Sequence, residues 1–237
     1  METKFDNLDK RRIATLLQGG ADTLAGWTTQ FELHRLGFQI AVIVAGAGLY
    51  GAAMGWWRDP LQALFVAIKF PLILLLTALG NTLLNGMLAP LLGLNISFRQ
   101  SLLAILMSFT IAGAILGAFA PLVAFLVWNA PPMTSGVEST AAYEFIKLVH
   151  VIVIGFAGIR SNVRLFQLLT RLAGRKSIAW RVLFAWLVVN LFLGSQLTWI
   201  ARPFIGAPYL PVVFLRDTAF WSNFYENVFN AIKALLK

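Results

Sequence analysis

The chain alternates long apolar stretches with short clusters of charge and proline, a pattern that predicts helices crossing a lipid bilayer. A crossing helix needs about 20 predominantly apolar residues, and five stretches reach that length: residues 38–57, 71–93, 101–128, 141–159 and 182–200. Pro121 falls inside the third, where it removes a backbone donor and is expected to bend the helix. Between the first two stretches, "RDPLQALFVAIKF" (Arg58 to Phe70) is too short to span. It reads as an interfacial helix opened by Pro60 and ended before Pro71, and its fusion with part of the next stretch is the route to a sixth span.

The same pattern marks both ends of the chain. Residues 1–35 mix five acidic with five basic residues and form a cytoplasmic or interfacial segment, weakly amphipathic and broken at Gly19-Gly20. Residues 36–200 hold the spans. Residues 201–237 begin with Pro203, Pro208 and Pro211, which forbid a continuing helix, and end with Phe220, Phe224, Val228, Ala231 and Leu235 at helical spacing. The predicted fold is an all-α polytopic transmembrane bundle of about five spans with interfacial amphipathic helices. Exposed apolar chain is costly in water and unpaired backbone is costly in lipid, so the proline-rich tail is expected to pack on protein as an outer lid.

Composition agrees. Hydrophobic residues make up 59% of the chain and charged residues 12%, with mean hydropathy +0.76, whereas soluble domains are roughly 45–50% apolar and about 25% charged. The absence of cysteine excludes disulfides, thiolate metal sites and thiol nucleophiles. His34 and His150 lie far apart, outside any metal-binding spacing, and no cofactor is expected. The net charge of +9 is assigned to cytoplasmic loops and anionic lipid headgroups, with nucleic acid set aside as a partner.

Charge also predicts orientation. With the N-terminus inside, twelve basic residues fall on the inner side (Lys4, Lys10, Arg11, Arg12, Arg35, Arg99 and six between Arg160 and Arg181) and six on the outer side (Arg58, Lys69, Arg202, Arg216, Lys233 and Lys237). The stretch Asn129 to Ser139 carries no basic residue while the next connection carries six, so these neighbours are placed on opposite faces.

Four constellations carry candidate chemistry. Asn81 and Asn85 share a helix face with Thr77, and Asn190, Ser195 and Gln196 are potential partners; such amides either tie helices together or line a polar path. Glu144, Lys147 and His150 follow at three-residue steps on the fourth span, as an ion pair with a buried histidine or as part of that path. Arg160, Arg164, Arg171, Arg175, Lys176 and Arg181 alternate with apolar residues and read as a helix on an anionic leaflet or a docking patch for a partner. Gly51 with Gly55, and Gly113 with Gly117, let helix backbones approach closely, within one bundle or between subunits. No nucleophile–base pair, P-loop or dinucleotide fingerprint appears, and no internal repeat of broken helices relates the two halves.

Two stretches, Q-A-L-x-x-A-I-K-x-P-L at Gln62 to Leu72 and W-x-x-R-P-F-I-G-x-P at Trp199 to Pro208, resemble the signature regions of a group of bacterial multi-pass membrane proteins. The five-span outline is also similar to the Yip1-like superfamily. The resemblance implies a bacterial inner membrane and brings no established activity. The expectation is a non-enzymatic membrane scaffold or complex subunit, oligomeric and in contact with membrane lipids. The competing class is an ion channel or small-solute transporter whose polar path passes Asn81, Asn85 and His150 beneath a lid formed by Arg202, Pro203, Phe204, Pro208, Pro211 and Arg216. A lipid-modifying enzyme is a third.

Overall fold

The computed structural model describes residues 13–29, 32–133 and 137–235. Lys4, Lys10, Arg11, Arg12 and Lys237, counted above for orientation, lie outside the described residues. Every regular element is an α-helix: α1 (Ala21–Thr29), α2 (Leu33–Trp56), α3 (Pro60–Leu91), α4 (Phe98–Trp128), α5 (Val137–Ala173), α6 (Lys176–Ala201) and α7 (Phe224–Leu235), with a further helical turn at 13–18. Helices α2 to α6 are long and apolar enough to cross a membrane.

Two segments differ from the expectation. The stretch Arg58 to Phe70 is no separate interfacial helix: it is the first third of α3, which runs unbroken through Pro71. Asp59 caps its start by accepting from the Leu61 amide, and Pro60 occupies the first turn, where its missing N–H costs nothing. Pro71 deprives the Ala67 carbonyl of its helical donor, and that carbonyl faces Gly48 of α2, where an added Cβ would lie 3.3 Å away. The α2 backbone therefore packs over the acceptor that the proline exposes. Pro121 is likewise contained within α4.

The basic connection is no surface loop either. Helix α5 continues past Ile159 to Ala173 and turns at Gly174 (φ 65°) directly into α6. At about 1.5 Å per residue, α5 and α3 are each longer than the roughly 30 Å hydrocarbon layer. Their surplus lengths carry the arginines at one end and Gln62 at the other.

Glycines weld the first three spans. A Cβ on Gly46 would stand 2.0 Å from the Gly113 carbonyl oxygen, one on Gly117 2.9 Å from the Gly46 Cα, and ones on Gly51 and Gly55 2.6 and 2.7 Å from the carbonyls of Val66 and Gln62. All four glycines singled out in the sequence are thus occupied by contacts within the chain. Two apolar clusters follow. One, around Tyr50, Met54, Val66, Leu116, Val123 and Val153, lies toward the end where α6 leaves the bundle. The other, around Leu16, Leu24, Ile105, Leu165, Leu168 and Trp186, lies toward the end holding α1.

Candidate functional site

At the tail end, residues 202–223 form an irregular segment seated on the start of α3. Gln62 and Lys69 lie seven residues apart, two turns, and so share one face of α3. Gln62 Nε2 donates to the carbonyls of Pro203 (2.9 Å) and Phe204 (2.8 Å), and Lys69 Nζ to those of Pro203 (3.3 Å) and Val213 (3.4 Å). Arg58 extends the row, donating to Pro208 (3.3 Å) and Leu210 (3.2 Å). Lys69 is 1% exposed, and its ammonium is also flanked by the rings of Phe65 and Phe214, at 5.9 and 5.1 Å. Carbonyl dipoles and ring faces supply the stabilisation a buried cation requires. Gly206 adopts φ 85° against the Arg58 side chain, a backbone state that disfavours any residue with a Cβ.

The two sequence signatures therefore meet as donor and acceptor. The Gln62–Lys69 face supplies the N–H groups, and the Pro203–Phe204 turn, fixed by a cis Arg202–Pro203 bond, supplies the carbonyls. Phe204 packs edge-on against Phe70, and Pro208 offers its carbonyl to Arg58. Pro211 is exposed. Arg202 stacks over Trp199 at 3.0 Å, and Arg216 donates to the Trp199 carbonyl. Burial first, and repulsion from Arg216 second, lower the Arg202 pKa.

At the opposite end the arginines divide. Arg164 donates to the carbonyls of Leu16 and Gly19, and Arg171 pairs with Asp22, so both hold the N-terminal segment. Leu165, Leu168 and Leu169 are buried beneath that segment. Arg160, Arg175, Lys176 and Arg181 remain exposed.

The polar residues of the spans separate into three groups. Glu144 and Lys147 form an exposed ion pair at 2.5 Å near the start of α5. His150 is buried and shares a 2.8 Å hydrogen bond between its Nδ1 and the Tyr50 hydroxyl of α2. Asn85 donates to Asn81 one turn back on α3. His150 and the asparagine pair do not line a common space. Gln196, read as a partner for the asparagines, instead accepts from the Phe224 amide and caps the start of α7.

Asn81 does line a cavity of about 380 Å³, walled by α3 and α4 behind and by α5 and α6 at the flanks. Its polar lining is Thr77, Asn81, Ser108, Ser161, Asn162, Asn190, Ser195 and Thr198, all uncharged, set among apolar residues of both clusters. Three lining residues, Thr77, Trp186 and Asn190, each also carry a buried side-chain atom (Oγ1, Nε1 and Oδ1) with no hydrogen-bond partner among the described residues. A buried polar group left unpaired costs about 1–3 kcal/mol, so three such residues around one space are a concentrated cost. Part of this was legible: Asn190, Gly194 and Thr198 recur at four-residue intervals, a small and polar stripe on an otherwise apolar helix. Trp186 carried no such signal, because only the fold brings it to this space.

This arrangement of five apolar helices defines a multi-pass integral membrane protein of the helical-bundle class. Comparison with protein-family models, curated proteins and solved structures gives no match for the chain.

Proposed function

We propose that the protein is a non-enzymatic membrane carrier of the transporter class, holding a small polar or amphiphilic molecule in the chamber between α3, α4, α5 and α6. The observation that carries this reading is a row of uncharged polar residues, Thr77, Asn81, Ser108, Asn162 and Asn190, bordering one cavity inside an apolar bundle. The scaffold reading drew on small-residue faces available for oligomer contacts, and those glycines are used inside the chain. Asn81 keeps its place in the polar path; Asn85 supports it from behind, and His150 belongs to the packing of α2 on α5. The excess of basic residues around the α5–α6 turn supports an orientation with the α1 end in the cytoplasm and the tail outside. The likeness in the Gln62 and Trp199 signatures supports a bacterial inner membrane.

Native mass spectrometry of protein extracted from its own membrane tests the proposal. The native chain retains a small adduct, and a Thr77→Val, Asn190→Leu variant of unchanged elution and melting loses it. Identical adduct patterns in the two proteins, or none in either, overturn the reading.

A further inference from the structure

The chamber does not end at its own walls. A second hollow of about 830 Å³ lies between α5 and α6 toward the α1 end and shares Gly158, Asn162 and Leu187 with the chamber. Gly155 and Gly158 line it, and a Cβ on either would meet nothing within 4 Å. Helices α5 and α6 are the most loosely packed pair of consecutive spans. Together the hollows make one furrow between α5 and α6, floored by α3 and α4 along the chamber only.

The furrow's polar positions run its full length. Exposed Gln167 and Lys176 stand at one end, half-buried Asn162 and Asn190 in the middle, and half-buried Ser195 with exposed Thr198 at the other end. From Lys176 to Thr198 along α6 is about 33 Å at 1.5 Å per residue, the thickness of a hydrocarbon layer of roughly 30 Å. Each mouth carries positive charge. Lys176 and Arg175 stand at one, and Arg202 and Arg216, adjoining Thr198 and Trp199, at the other. The Nε atoms of Arg202 and Arg216 are buried without a partner among the described residues. Two neighbouring guanidinium groups suit an anion, and Arg is the side chain whose planar donors match phosphate best.

Building on the carrier reading, we infer that the substrate is a phospholipid, whose phosphodiester headgroup slides along the α5–α6 furrow between cationic mouths while its acyl chains stay in the bilayer. A headgroup in bare hydrocarbon loses its hydrogen bonds, at a cost of several kcal/mol for each unsatisfied group. Hydroxyl and amide dipoles along the furrow replace those bonds stepwise. Uncharged groups in the middle keep the headgroup from being trapped, and basic groups at the ends collect it. The exchange is passive and runs in both directions, so it needs no co-reactant.

The test is leaflet exchange in sealed vesicles of phosphatidylcholine and phosphatidylglycerol containing the full chain and a fluorescent lipid, with dithionite bleaching the outer leaflet. Bleaching beyond the outer half is expected at least tenfold faster than in protein-free vesicles. Gly155→Leu, which fills the furrow and leaves the chamber's polar atoms intact, is expected to slow exchange toward the protein-free rate while keeping the adduct in native mass spectrometry. Exchange no faster than in protein-free vesicles, with the adduct retained, overturns the lipid track and leaves the carrier standing. Loss of both exchange and adduct removes both. Influx of inorganic phosphate without lipid exchange also overturns the track, in favour of a solute path.

Discussion

The half of the bundle made by α2, α3 and α4 and the half made by α5 and α6 meet the same solvent with opposite solutions. In the first, 39, 39 and 56% of the most apolar window of each helix is buried, against 22% in each of α5 and α6. Glycines bring α2 into backbone contact with α3 and α4, and Gln62 and Lys69 have their donors met by the tail. In the second, Gly155 and Gly158 face open space. Lipid supplies no hydrophobic drive for helix association, so close packing and satisfied polar groups must hold a bundle together. Where helix backbones touch, the structure is a frame; where they stand apart, between α5 and α6, the furrow opens.

The comparison breaks most visibly at glycine. Gly46→Ala forces a methyl group against the Gly113 carbonyl and is expected to cost about 3 kcal/mol, the upper range for overpacking, read as loss of monodisperse protein in detergent. The same change at Gly155 is expected to be neutral or to stabilise by up to about 1 kcal/mol, since Ala favours helix and nothing is in its way. Next in size is Lys69→Ala, which strips partners from the Pro203 and Val213 carbonyls and is expected to cost about 2 kcal/mol. Limited proteolysis between 205 and 215 should rise with it. Lys69→Met should lose about half as much, because it removes the buried charge while keeping the volume.

Amide-to-leucine changes sharpen the contrast further. Gln62→Leu leaves the Phe204 carbonyl without its donor and the Pro203 carbonyl with Lys69 alone, and is expected to lower stability by about 1–2 kcal/mol, whereas Asn190→Leu deletes an unpaired group and is expected to be neutral or slightly stabilising. Thermal melts of the two variants in one detergent decide this. Among the destabilising changes the smallest is expected from Tyr50→Phe, about 1 kcal/mol for the lost hydrogen bond to His150, with lipid exchange unchanged because neither residue lines the furrow.

Much of this was readable in the chain, and what was not has a physical reason. Span count follows from apolar run length, a local property, so all five helices were legible. Their ends were not, because Arg160 to Ala173 and Pro60 to Phe70 look interfacial until the partners that bury them are known: the N-terminal segment for Leu165 and Leu168, the tail for Lys69. Proline misled for a similar reason. Pro71 breaks an isolated helix, but here the Ala67 carbonyl it frees lies against Gly48. The asparagines on α3 and the Asn190 stripe were visible as polar residues in apolar helices, yet their division among packing, capping and cavity depends on which elements the fold sets beside them. Lys69 stood among the outer charges in the sequence and proves to be an anchor for the tail.

Hydrogen–deuterium exchange of the full chain in lipid nanodiscs tests most directly whether one half is a closed frame and the other an open furrow. Amides of α5 at 155–170 and of α6 at 186–198 are predicted to exchange at least tenfold faster than those of α2 at 43–55 and α4 at 104–117. Equal protection across all five spans would contradict the account.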